Sequence, residues 1–314
     1  MDTFSGRLAV VTGGGTGMGR ELVRQLAAAG ADVAMCDVND GAMAETMRLV
    51  TEDGSDVRLS CHLADVSDDD QVRTFRDAVA TAHGSDRINL LFNNAGIGGG
   101  GSLIADDRTN WDRTFGVCWG GVYNCARAFL PMLLASDRGA VVNTSSINGF
   151  WASVGPDVPH TSYSAAKFAV KGFTEALIAD FRVNAPHLSA HVVMPGHIGT
   201  SIALNSAEAH GGIDVARVRK QLALRGLPAD QLTDGQIEDL IVERGERFRD
   251  EAPTSAAQAA TIILDAVLAG RWRILVGEDA EAIDELVRRD PWAAYEPEFI
   301  DRITAAGHLG GLRS

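Results

Sequence analysis

Tyr163 and Lys167 stand four residues apart in a chain that has only three tyrosines and three lysines, the other lysines being Lys171 and Lys220. On a helix that spacing puts both side chains on one face. A free tyrosine, with a pKa near 10, is a poor base at neutral pH. A neighbouring ammonium group favours the phenolate and lowers that pKa toward a useful range. Such a phenol could take the proton of an alcohol and return it in the reverse direction. Chance would supply roughly 0.03 Tyr-x-x-x-Lys pairs in this composition.

A second chemical signal lies near the start. Thr12-Gly13-Gly14-Gly15-Thr16-Gly17-Met18-Gly19 follows an apolar run and opens a helical pattern. Glycines there let the backbone turn tightly and approach a pyrophosphate at a helix N-terminus, where free N–H groups and the dipole favour negative charge. Asp37 ends the next apolar run, 18 residues past Gly19. That is close to the spacing of about 20 for a carboxylate that binds the ribose hydroxyls of a dinucleotide.

The elements that must position these groups are legible from their periodicity. Leu8–Thr12, Asp32–Asp37, Val57–Leu63, Ile88–Asn93, Ala140–Ser145 and Ser189–Met194 are short apolar runs. Gly19–Ala29, Asp40–Thr51, Asp68–Ala82, Thr109–Ala135 and Ser162–Asn184 are amphipathic segments of helical length. Their alternation predicts an α/β fold, a doubly wound parallel sheet of the Rossmann type with about seven strands, Arg273–Val276 supplying the last. Residues 201 to 252 are helical and charged, and are read as a substrate-binding lid. Thr233–Gln236 and Ser255–Gln258 form capping boxes that open two helices. Residues 279 to 314 read as an acidic, partly helical C-terminal tail, and no linker splits residues 1–314 into separate domains.

Composition narrows the function. The 314 residues are 46% hydrophobic with a formal charge of −14, which suits a globular protein that repels nucleic acid and anionic membrane surfaces. No apolar run reaches the roughly 20 residues of a membrane helix, and the first residues leave no room for a signal peptide. Cys36, Cys61, Cys118 and Cys125 form no CxxC pair and no zinc-like spacing, so they read as reduced thiols of a cytoplasmic protein without a metal site.

The glycine loop has the spacing T-G-x-x-x-G-x-G, and with it the chain resembles the short-chain dehydrogenase/reductase family. Asp65-Val66 after the third strand, Asn93-Asn94-Ala95-Gly96 after the fourth, Ser146 after the fifth, Tyr163-Ser-Ala-Ala-Lys167 on the next helix and Pro195-Gly196 after the sixth follow in order. The likeness spans residues 5 to 200 and, more loosely, 253 to 277. It implies that Gly13, Thr16, Gly17, Met18, Gly19 and Asp37 hold the pyrophosphate and ribose of NAD. Asp65 and Val66 would meet the adenine, Asn93, Ala95 and Gly96 would border the cofactor, and Pro195, Gly196, Ile198 and Thr200 would contact the nicotinamide end. Tyr163 would be the acid–base, helped by the charge of oxidised nicotinamide. Lys167 would also bind the nicotinamide ribose, and Ser146, rather than Ser145, would hold the substrate oxygen. Cys118 departs from the pattern: most members have an asparagine there, which helps hold a water in the proton path to the lysine.

The expected activity is NAD(H)-dependent interconversion of a secondary alcohol and a ketone, on a bulky apolar substrate whose pocket gains Phe150, Trp151 and Met194. Ile237, Leu240, Ile241 and Phe248 are expected to pack down as core of the lid. Asp37, with no cation at Thr16, Val38 or Asn39, predicts NAD over NADP. A homo-oligomer, dimer or tetramer, is expected. The same core supports reduction of an acyl-carrier-bound or CoA-bound β-ketone, although an acidic carrier would be repelled, and a nicotinamide-binding scaffold without turnover is the reading from outside enzymology.

Overall fold

The computed structural model describes residues 2–104, 106–154, 158–224 and 228–308. Seven parallel strands form the central sheet: β1 Leu8–Thr12, β2 Asp32–Asp37, β3 Leu59–Leu63, β4 Leu90–Asn93, β5 Gly139–Thr144, β6 Leu188–Pro195 and β9 Arg273–Val276, in the order β3-β2-β1-β4-β5-β6-β9. Register runs Val10↔Ala34 on one side of β1 and Val10↔Leu91 on the other. Strand order therefore reverses at β1, which opens a crevice at the carboxyl ends of β1 and β4.

Side-chain alternation along the strands divides the core into two layers. Ala9, Val11, Val33, Met35, Leu90 and Phe92 face α1 (Gly17–Ala28), α2 (Asp40–Glu52) and α10 (Ala256–Leu268). Val10, Ala34, Leu91 and Val141 face α3 (Asp69–His83), α5 (Gly121–Leu134) and α6 (Thr161–Asn184). Burial on both faces explains why these strands read as continuous apolar runs.

The helix expected over Thr109–Ala135 forms, with one widened turn inside it. α4 (Arg108–Phe115) and α5 flank a widened π turn, Gly116–Gly120, that contains Cys118. Beyond β6 lie α7 (Ile202–Ala209), α8 (Val215–Leu224) and α9 (Asp234–Asp250). The ends of this excursion are joined by β7 (Ile198–Gly199) and β8 (Thr254–Ser255), a two-residue parallel pair too short to show in the periodicity. Both capping boxes form: Gln236 N donates to Thr233 Oγ1 at 3.2 Å and Gln258 N to Ser255 Oγ at 3.2 Å, with both reciprocal bonds at 2.9 Å.

The segment read as a tail is packed. α11 (Glu278–Arg289) and α12 (Pro297–Ala305) bury Ile283, Phe299, Ile300 and Ile303 against Trp151 and Ile147; residues 309–314 of that reading lie outside the described residues. No helix among the described residues is long and apolar enough to cross a membrane.

Candidate active site

The glycine loop leaves β1 and enters α1 with backbone packed against backbone. A Cβ on Gly19 would lie 1.9 Å from the Gly13 carbonyl oxygen, and one on Gly13 2.9 Å from Ala95 Cα. The α1 N-cap, Thr16, makes no side-chain capping bond, so the first-turn N–H groups receive none from it; they suit an anion. The Thr12 hydroxyl accepts from Asn94 N and Ala95 N, both at 3.0 Å, and so fastens the end of β4 to the end of β1. Asp37 Oδ2 accepts from Gly15 N at 2.9 Å, which fixes the carboxylate beside the loop.

A cavity of about 170 Å³ is lined by Gly13, Thr16, Gly17, Met18, Asp37, Asp65, Val66, Ala95 and Gly96. An uncapped helix start, a carboxylate at a strand end and a glycine cradle fit a dinucleotide's adenosine and pyrophosphate. Two proposed contacts do not line it. Gly19 lies in the loop–helix seam, and Asn93 points into the sheet, where its Nδ2 donates to Asn143 at 2.8 Å. Asn94 lines the cavity instead, because strand alternation turns Asn93 inward. Arg113 also borders it. Its guanidinium donates to Asp65 Oδ2 at 2.6 Å and to Ser67 Oγ at 2.9 Å. Partial burial pushes the Asp65 carboxyl up, but hydrogen bonds from the Ser67 hydroxyl and N–H, at 2.7 and 2.9 Å, and then from Arg113 hold it below its usual range. Nothing in the sequence pairs residues 48 apart.

A larger cavity, about 800 Å³, adjoins the first. Ser146, Tyr163, Lys167, Pro195, Gly196, Ile198 and Thr200 all line it, so the groups expected at the nicotinamide end and the reacting centre meet at one place. Lys167 is buried, 5.3 Å from the Tyr163 ring centre, and donates to Thr144 O at 2.9 Å; among the described residues it has no carboxylate partner. Ser145 donates to Lys167 O at 2.7 Å, a structural bond that leaves Ser146 nearer the phenol. The phenol itself departs from expectation. Burial raises its pKa above the ordinary value, and the Lys167 charge and a hydrogen bond with Ser146 offset that only in part.

His160, three residues before Tyr163, lies against the tyrosine ring with centres 4.7 Å apart, and burial lowers its pKa to about 4. It lines the cavity, as do Asn148, Val154, Ile202, His210, Ile241 and Phe248. Ile237 is buried core and Leu240 is exposed, but Ile241 and Phe248 face the cavity rather than packing away from it. Phe150, Trp151 and Met194 do not line it. Met194 and Trp151 are fully buried, and Phe150 packs beside Trp151 on the C-terminal helices. α7 bridges both cavities: Asn205 donates to Thr16 Oγ1 at 3.1 Å, and Ser206 accepts from Gly98 N at 2.7 Å.

Residues 7–211 match the short chain dehydrogenase family. A protein of Mycobacterium tuberculosis named as an oxidoreductase, SadH, is 34% identical over 288 residues, 92% of each chain. A short chain dehydrogenase/reductase from Burkholderia phymatum, solved in complex with NAD, superposes with a TM-score of 0.75 at 29% identity over 95% of this chain and 98% of its own. A metagenomic short-chain oxidoreductase solved with NADP superposes with a TM-score of 0.55 at 30% identity, over 61% of this chain and 83% of its own.

Proposed function

The chain belongs to the short chain dehydrogenase family, hence is an oxidoreductase of that type, and from that premise we propose that it interconverts a secondary alcohol and a ketone with NAD(H), using Tyr163 as acid–base. The observation that carries the reading is the meeting, in the larger cavity, of Ser146, Tyr163 and a buried Lys167 that has no carboxylate partner among the described residues. The dinucleotide would be held by Thr16 and Gly17 at the start of α1, by Asp37 and Asp65, and by Pro195 and Thr200 at its far end. When bound it supplies the hydride acceptor or donor.

The chain's own part is proton handling and orientation. Ser146 orients the substrate oxygen toward the phenol. Tyr163 takes the proton in oxidation and gives it back in reduction. Because burial holds the phenol protonated, Lys167 alone does not activate it, and the remaining shift toward phenolate must come with the loaded site. His160, kept neutral, walls the phenol from water.

Asp37 supports NAD rather than NADP: its carboxylate is fixed by Gly15 N in the adenosine cavity, where a 2′-phosphate would be repelled. Arg20, the first cation after the glycine loop, donates to Gly15 O at 3.0 Å and Thr46 Oγ1 at 3.1 Å. The 201–252 segment acts as the lid; its underside carries Ser206, His210, Asp214, Arg217 and Arg244, and Ile202, Ile241 and Phe248 supply the apolar part that favours a bulky apolar alcohol or ketone. The test is NADH formation across a panel of secondary alcohols graded in size and polarity. Absence of turnover on all of them, in both directions, would remove the assignment.

A further inference from the structure

The C-terminal helices and the turn between them reach both sides of the reaction centre. On one side, Trp151 Nε1 donates to Ala294 O at 2.7 Å and Ala152 N donates to the Tyr295 hydroxyl at 3.1 Å. The Trp151 indole packs on Phe299, ring centres 5.8 Å apart, in a cluster that includes Ile147. Asn148 Nδ2 donates to Trp151 O at 3.0 Å and Ser153 O at 2.9 Å. Ser146, Ile147, Asn148 and Val154 all line the larger cavity, so this wall hangs from residues almost 150 positions later in the chain.

On the other side, Asp279 in the first turn of α11 accepts from His197 N at 2.6 Å. The carboxylate is buried and lies directly against the turn: a Cβ on Gly196 would stand 2.2 Å from either of its oxygens. Gly277, at φ +100°, makes the bend that brings it there, and a Cβ at that position would come within 2.5 Å of Asp279 Oδ1. Burying a carboxylate is costly without compensation, and the N-terminal dipole of α11 offsets part of it. His197 in turn bonds Phe248 O through Nε2 at 2.6 Å, which links the turn to the wall formed by α9.

We propose that residues 277–305 form a positioning arm: Trp151 and Tyr295 hold the substrate wall at 146–154, and Asp279 holds the Pro195–His197 turn, so both faces of the reaction centre are aligned from outside the sheet. Trp151, Tyr295 and Asp279 are positioning residues, acting through Ser146 and through the turn. The kinetic part of this inference rests on the dehydrogenase reading; the structural part does not.

The test uses the full chain with Trp151→Phe, Tyr295→Phe and Asp279→Ala. Tyr295→Phe keeps its ring and removes only the hydroxyl, while Trp151→Phe removes the indole N–H and exchanges the buried indole for a smaller ring. Amide exchange in 147–153 is expected to quicken about tenfold in both while sheet amides stay unchanged. KM for the alcohol should rise about tenfold in both with kcat within about twofold. Asp279→Ala should lower kcat about tenfold and alter the emission of bound NADH, yet leave ADP-ribose affinity unchanged, since that ligand lacks the nicotinamide. Unaltered exchange in 147–153 in both ring variants would overturn the wall half, and unaltered NADH emission with Asp279→Ala would overturn the turn half. Exchange and emission decide the matter even if wild-type protein oxidises none of the alcohols, so failure of the dehydrogenase reading stays distinguishable. ADP-ribose binding lost in parallel with kcat would also overturn it, as a general loss of structure.

Discussion

The two ends of the cleft are built in opposite ways. At the adenosine end, each group sits at or just after a strand terminus: Gly13 after β1, Asp37 at the end of β2, Asp65 after β3, Ala95 after β4. The sheet itself fixes their spacing, and bonds such as Gly15 N to Asp37 and Ala95 N to Thr12 only lock it. At the substrate end, the wall comes from many separate stretches, among them Gly96–Gly99, Asp107–Asn110, the 146–154 loop, the start of α6, the Pro195–Thr200 turn, α7–α8 and α9. They are joined by single bonds over long sequence distances, such as His197 to Phe248 and Trp151 to Ala294. A rigid, sheet-borne end suits one invariant ligand, and a loop-borne end can be reshaped for substrate without disturbing the other.

The largest expected effect separates the two ends cleanly. Tyr163→Phe removes the proposed proton carrier at the substrate end, and kcat should fall by about 10²–10⁴-fold with ADP-ribose affinity unchanged. Wild-type turnover in that variant would end the assignment of Tyr163. Under the proposed mechanism the phenol also sets the pH dependence. Burial raises its pKa, so the base form needed for oxidation is scarce at neutral pH. Oxidation should therefore quicken as pH rises, and reduction should quicken as pH falls. With its pKa lowered to about 4, His160 stays neutral above roughly pH 5 and adds no limb there. Initial rates in both directions from pH 6 to 10 check the sign.

The converse experiment perturbs only the adenosine end. Wild-type protein should favour NAD over NADP by tenfold or more in kcat/KM, about 1.4 kcal/mol or more. Asp37→Ala should shrink that ratio through KM for NAD while the alcohol KM stays put. Equal kcat/KM for the two cofactors in wild type would refute the role of Asp37. A smaller effect is expected at the lid. Phe248→Ala removes an apolar cavity wall and should raise KM for a bulky ketone about tenfold, in the range of 1–3 kcal/mol for lost apolar contact, with little change for a small one. Equal changes for large and small ketones would mean that Phe248 only supports the fold.

How much of this was legible follows the same division. Parallel strands covered on both faces read as apolar runs, and the glycine loop, Asp37, Tyr163 and Lys167 follow from strand ends and helical spacing, whereas Ser146 came from the family resemblance. Asn93 misled because a motif names neighbours without saying which alternate residue turns inward; its partner Asn143 is its register neighbour on β5. Phe150 and Trp151 invited a place in the pocket because they follow Ser146, yet a buried indole goes where its N–H finds an acceptor, and that acceptor is Ala294. Asp279 and Arg113 were silent for the same reason: their partners, His197 and Asp65, are far away in sequence. The acidic composition of 279–314 suggested a tail, while Ile283, Phe299, Ile300 and Ile303 at helical spacing carried the packing face.

Cys118 sits where the two ends meet, and it gives the smallest and sharpest test of their independence. Its thiol is buried in the π turn between α4 and α5 and donates to Ile97 O at 3.1 Å. A Cβ on Gly96 would lie 3.4 Å from Lys167 Nζ and 3.7 Å from Cys118 Sγ, so both side chains border that one position. The thiol therefore keeps a bond to the loop that follows β4, a role an asparagine amide could also fill. As a weak hydrogen-bond partner it offers little to a proton-carrying water. If proton transfer through Lys167 runs past this position, Cys118→Asn should raise kcat by about two- to threefold. The solvent isotope effect should fall and the alkaline-going limb of the pH profile should shift. The dissociation constants of NAD and ADP-ribose should stay the same. If kcat and the isotope effect are both unchanged, the thiol serves only to pack the turn and tie Ile97, and the relay reaches the lysine from elsewhere. A change in NAD affinity instead would mean the two ends are coupled through the π turn, which would break the division drawn above.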